Sequence, residues 1–79
     1  MIAITVYTKR IGDADAPHNE YYAAIVEMKQ GRRPESYDDV LRNGMFFSTP
    51  FESYDKCIAF AQKWADGLNK PLVVLGEES

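Results

Sequence analysis

Residues 53–75 constrain the fold more than any other stretch of this chain. Ser53 is a candidate N-cap, Asp55 falls in a first turn where the helix dipole favours an acid, and Gly67 is a candidate left-handed stop. The spacing predicts a helix over 54–66. Cys57, Phe60 or Ala61, Trp64 and Leu68 recur every three or four residues, and Ile58 and Ala65 widen that apolar stripe. Gln62, Lys63 and Asp66 take the wet face, and Trp64 is the expected anchor in the core. Pro71 bars continuation of the helix. Leu72-Val73-Val74-Leu75 follows at once, a continuous apolar run that reads as a strand interior to a sheet. A helix that doubles back onto its following strand needs a sheet to cover. In a chain of 79 residues, enough for one domain with one modest core, the remaining segments must supply it.

The first of those segments is plain. Ile2, Ile4 and Val6 alternate with Ala3, Thr5 and Tyr7, the period of a half-buried strand. Residues 10–19 read as a loop, crowded with Gly12, Asp13, Asp15, Pro17 and Asn19. Residues 20–29 read two ways. As a strand, Tyr22, Ala24, Val26 and Met28 face one side and Tyr21, Ala23, Ile25 and Glu27 the other; as a helix, Asn19 caps it and Gly31 ends it. The Tyr-Tyr and Ile-Val pairs, with a turn at Gly31-Arg32, favour the strand. Ser36 then caps a short helical turn over 37–43, with Asp38 and Asp39 in its first turn and Gly44 as its stop. Residues 45–49 form a short apolar strand closed by Pro50. The expected architecture is a single-domain α+β fold, order β-β-(short α)-β-α-β, with one main helix packed on a small sheet. The helical reading of 20–29 gives a ferredoxin-like βαββαβ order instead.

Composition narrows the function. Twelve acids against nine Lys and Arg leave a net charge of −3. That balance disfavours non-specific binding to a phosphate backbone and suits a basic protein surface. The single cysteine, Cys57, makes no internal disulfide and falls on the helix's apolar stripe, as a buried structural thiol does. Met1 to Tyr7 lacks the basic start of a signal peptide, and no apolar run approaches the ~20 residues that span a bilayer. The expectation is a cytoplasmic protein. His18, the one histidine, lies near Asp13, Asp15 and Glu20, but a lone His among scattered carboxylates is not a closed ligand set, so no metal is expected. The glycines are singles, none in a phosphate-binding loop, and no nucleophile has a positioned base; no cofactor and no catalytic role are assigned.

What remains is a non-enzymatic, macromolecule-binding chain. Glu35, Asp38 and Asp39 put three carboxylates within five residues with Tyr37 among them, and Tyr21 is a further candidate contact. These five are the expected partner-binding residues, acting on a protein with a basic surface. The alternative is a small RNA- or DNA-binding domain using Tyr7, Arg10, Arg32 and Arg33. In that case Lys9-Arg10 and Arg32-Arg33 sit at neighbouring strand ends and, with Arg42, form a positive patch.

Three resemblances bear on this choice. Residues 43–75, an aromatic strand, a helix and a closing strand, resemble the second half of an RNA-recognition motif, though the Gly-aromatic strand pattern is not reproduced. Residues 21–61, a Tyr-Tyr-Ala-Ala-Ile-Val strand, Phe47-Ser48-Thr49 and a Ser-capped helix, are similar in order to HicB-type antitoxins. In size, acidity and lack of catalytic groups the chain looks like small phage-encoded anti-CRISPR proteins. That likeness implies a stoichiometric inhibitor, active in the host cell cytoplasm, that masks a functional surface of a nucleic-acid-binding defence complex.

Overall fold

The computed structural model describes residues 1–12, 17–47 and 50–77. The elements are β1 (Ile2–Ile11), β2 (His18–Glu27), a 3-10 turn (Lys29–Gly31), α1 (Tyr37–Asn43), β3 (Gly44–Phe46), α2 (Tyr54–Leu68) and β4 (Leu72–Glu77). This is the expected α+β order. Residues 20–27 are strand, so no helix separates the first two strands and the ferredoxin-like alternative falls. The loop expected over 10–19 is shorter than its composition suggests: Arg10 and Ile11 complete β1, and His18 and Asn19 open β2.

The sheet runs β3-β2-β1-β4. β1 pairs antiparallel with β2 and parallel with β4, while β2 pairs antiparallel with β3. Register sorts the side chains into two faces. Ile4 opposite Ile25 and Val6 opposite Ala23 share one face; Ala3 opposite Val26, Thr5 opposite Ala24 and Tyr7 opposite Tyr22 share the other. Ala3 through Tyr7 are all buried, which places β1 at the centre of the molecule. On the first face Ile4, Val6 and Ala23 pack against Cys57, Ala61 and Ala65 of α2. On the second, Ala3, Tyr7, Ala24, Val26, Val73 and Leu75 pack with Val40 of α1. The molecule is thus helix, sheet and short helix in three layers.

Local chemistry accounts for the elements and corrects three expectations. Ser36 and Ser53 cap α1 and α2 as expected, their hydroxyls accepting from the backbone N–H of Asp39 and Lys56. The left-handed stop of α2 is Asn69 (φ 55°), whose N–H donates to the carbonyls of Ala65 and Asp66, and Gly67 lies inside the last turn. Asn, whose short amide bonds locally, is among the few residues other than Gly that adopt that conformation. Trp64 is not the core anchor: it is 46% exposed. The smallest residues of the stripe face the sheet because they let the helix axis approach it, and the bulk of Phe60 and Trp64 is displaced to the flank. Finally, β4 is an edge strand. Its apolar run arises because Val73 and Leu75 enter one core and Leu72 packs on the other, while Val74 is left 47% exposed. No helix among the described residues is long and apolar enough to cross a membrane.

Candidate functional site

Of the five residues expected to form one contact surface, four cluster and one is elsewhere. Tyr37 lies on the α1 face of the sheet, where its ring meets Tyr7 at 4.9 Å between centroids, and Tyr7 in turn stacks on Tyr22 at 5.2 Å. Tyr37 is therefore half-buried and held by the core rather than free to anchor a partner. Asp39 is also committed. One of its carboxylate oxygens accepts the Glu35 N–H at 2.9 Å, the other lies 3.7 Å from the Arg32 guanidinium, and its own N–H donates to Ser36 Oγ. Those contacts hold the turn that starts α1. Glu35 and Asp38 are exposed and remain available. Tyr21 sits on the opposite, α2 face, edge-on to Tyr54 with centroids 5.6 Å apart, its backbone bridged to Phe51. The sheet separates it from the acidic turn.

The residues of the nucleic-acid alternative also disperse. Tyr7 is 2% exposed, sandwiched between two other tyrosines and unable to stack on a base. Lys9 and Arg10 lie opposite Glu20 and Asn19 at the hairpin end of β1, whereas Arg32 and Arg33 follow the other end of β2. Antiparallel pairing puts these at opposite ends of the sheet, so they are not neighbours. Burial raises the Tyr22 hydroxyl above its ordinary pKa, and the Glu20 carboxylate, which accepts its hydrogen bond at 3.2 Å, adds to the shift.

Cys57 is fully buried beneath α2, and burial pushes its thiol up to about 11. A protonated, inaccessible thiol is no nucleophile at neutral pH. His18 is exposed beside Arg10, Pro17 and Asn19 around a shallow dent of about 120 Å³. Asp13 and Asp15, which the sequence set beside it, lie outside the described residues. Among the described residues no group of three or more His, Cys, Asp or Glu could hold a metal ion.

The most developed surface is one that the periodicity argument missed. α2 covers β1 and β2, and towards β3 that sheet face is only partly covered. Ile25 and Phe47 floor a trough there, walled by Trp64 and Leu68, with a cavity of about 150 Å³ between them. The trough continues past Ile25 to Met45, Ile2 and Glu27, a further 260 Å³, and over the flank of α2 along Phe60, Lys63 and Gly67, about 440 Å³. Trp64 lies edge-on to Phe47 at 5.3 Å, and Phe47 stacks on Phe60 at 5.8 Å. Met45, Trp64 and Leu68 are 70%, 46% and 44% exposed. A signal for this was present in the sequence: α2 carries more large apolar residues than a single face of a 15-residue helix can bury. Comparison of the chain with family models, with curated proteins and with solved structures finds no match.

Proposed function

We propose that this chain is a non-enzymatic protein-binding module that docks its partner in the trough between α2 and β3. The observation that carries the reading is the exposure of Met45, Trp64 and Leu68 around one continuous apolar depression. Small domains seldom leave such residues uncovered without a partner, and Trp and Met are enriched at interface cores, where a few buried anchors supply most of the affinity. Glu35 and Asp38, on the far side of the sheet, add an acidic face that favours approach to a basic protein. A small acidic module of this kind acts by occupancy. Inhibition of a cytoplasmic nucleic-acid-binding effector, by masking its working surface, fits both the charge balance and the likeness to anti-CRISPR proteins.

Affinity capture from lysate of the native host, read by mass spectrometry, tests the reading when the parent is compared with Met45→Asp and Leu68→Asp. A stoichiometric partner retained by the parent and lost by both variants supports it. A partner lost instead with Asp38→Asn and Glu35→Gln, and indifferent to the trough, would move the interface to the acidic face.

A further inference from the structure

The trough has the dimensions of a missing helix, and we infer that its occupant is a single amphipathic α-helix supplied by another protein, lying antiparallel to α2. The inference rests on the reading of the trough as the docking surface. Neighbouring strands are spaced about 4.8 Å apart and a helix with its side chains is about 10 Å across, so one helix covers roughly two strands. α2 buries Ile4, Val6 and Ala23 fully and Ile25 and Phe47 only in part, which leaves their outer sides and Met45 as a strip about one helix wide. The wall from Phe60 to Leu68 runs about 12 Å, so the contact matches about two turns of an occupant.

A second copy of this chain cannot supply that helix. α1 has seven residues and buries Val40 on the opposite face of the sheet, and the exposed apolar flank of α2, Phe60, Trp64 and Leu68, is the wall of its own trough, so a second copy would have to give up that wall to fill another. An added strand fits less well, because β3 offers only Gly44–Phe46 as an edge. The wall of the trough suits a helix instead. Phe60, Trp64 and Leu68 stand at four-residue intervals, and nothing lies within 4 Å of where a Cβ would stand on Gly67, so a neighbouring backbone can come close there.

Charge sets the direction. Ile4, Ile25 and Leu68 meet at the C-terminal end of α2, and Glu27 lies just beyond Ile25 on β2. That end of the trough therefore combines a carboxylate with the negative end of the α2 dipole, and it favours the positive N-terminus of an occupant. Lys70 comes after the cap, where the chain has already turned towards β4. Lys63, on the rim about a turn back, meets an acid on the occupant's outer flank. The partner segment is thus an amphipathic helix with apolar residues at i, i+3 or i+4 and i+7, entering at Glu27 and acidic along one side.

Two displayed libraries of helix-patterned peptides of about 16 residues, identical except for a fixed central proline in one, test this on the intact chain. The inference expects binders from the first library and none from the second. Binding should shift the emission of Trp64, the only tryptophan, to the blue. Met45→Asp should weaken it at least about tenfold, since a carboxylate would be buried in an apolar seam. Glu27→Lys should select against the same peptides. Melting curves of both variants establish that the fold is retained. Equal recovery from the proline library, no binders at all, binders indifferent to Met45→Asp, or a free chain whose own association blocks the trough would each overturn the helix assignment. If it falls while lysate capture still depends on Met45 and Leu68, the protein-binding reading stands; if both experiments fail, both fall.

Discussion

The same chemical change, glycine to alanine, should have opposite effects at two positions of this chain. A Cβ built on Gly44 lies 2.5 Å from the Val40 carbonyl oxygen, 3.0 Å from Val26 Cγ2 and 3.3 Å from the Ile25 carbonyl oxygen. Two of those three atoms are backbone, one in α1 and one in β2, so neither can turn aside as a side chain would. Relief requires the end of α1 and the start of β3 to move off β2 by most of an ångström, against a close-packed core. Overpacking of that kind costs about 2 to 4 kcal/mol. Gly67 is the converse. It lies within α2, nothing stands within 4 Å of a Cβ placed there, and its φ is not in the left-handed region. Alanine there removes the backbone-entropy cost of a helical glycine and gains about 0.5 to 1 kcal/mol. For a domain of this size each kcal/mol moves the melting temperature by about 4 to 8 °C. Thermal unfolding followed by far-UV circular dichroism should therefore show Gly44→Ala melting at least about 8 °C below the parent and Gly67→Ala a few degrees above it. A Gly44→Ala protein within about 2 °C of the parent would mean that the α1–β3 junction is looser than described, and a destabilised Gly67→Ala would place a neighbour against α2 that the fold does not contain.

Three further outcomes follow from the packing. Ile4→Ala, at a fully buried site, should cost about 3 to 4 kcal/mol in urea unfolding, and Trp64→Ala should cost less despite removing a larger side chain; equal losses would contradict the half-exposed position of Trp64. Because the Cys57 thiol ionises near 9.0 when unfolded and about 11 when folded, folding favours the protonated form. Its contribution is complete below pH 9.0 and is lost as pH rises towards 11, so denaturation midpoints should fall across that interval in the parent and less in Cys57→Ala. Asp39→Asn should lower stability by about 1 kcal/mol through the Glu35 N–H and Arg32 contacts, whereas Asp38→Asn, which loses only its interaction with the α1 dipole, should cost about half as much or less.

Most of the architecture was legible because its determinants are local. Alternation in residues 2–7, serine caps at 36 and 53, and acids in two first turns act over a few residues, and each element formed close to where these cues place it. The misreadings concern quantities that are not local. Which flank of α2 faces inward depends on how near the sheet lies, and that is set by Cys57, Ala61 and Ala65 rather than by the largest residue in the stripe. Whether an apolar strand is central or peripheral depends on which strand pairs beyond it, and nothing within Leu72–Leu75 encodes that nothing does. The candidate site shows the same division. Three carboxylates in five residues are visible in the sequence, yet only a folded backbone reveals that Asp39 is occupied by its own turn, that Tyr37 is held by the core and that Tyr21 belongs to the other face. The excess of large apolar residues in α2 signals an uncovered surface, but its place stays hidden because Ile25, Met45, Phe47 and Trp64 meet only in three dimensions.

The parallel pairing of β1 with β4 has a consequence for how the molecule is made. Ile4 lies opposite Leu72 and donates its N–H to the Pro71 carbonyl, and this strand pair closes the longest loop among the described residues. The antiparallel hairpin of β1 and β2 can assemble as soon as both are available, but the other edge of β1 waits for the last strand. On a ribosome, the most buried strand of the molecule therefore has one edge unpaired and apolar residues open to solvent until residues 72–77 have been made. High contact order slows such a closure, and an open apolar strand is the species that aggregates or recruits chaperones. Yield in a cell should thus depend on how quickly residues 72–77 follow the rest, and a translational pause placed just before them should lower the soluble fraction without altering the stability of the protein once folded.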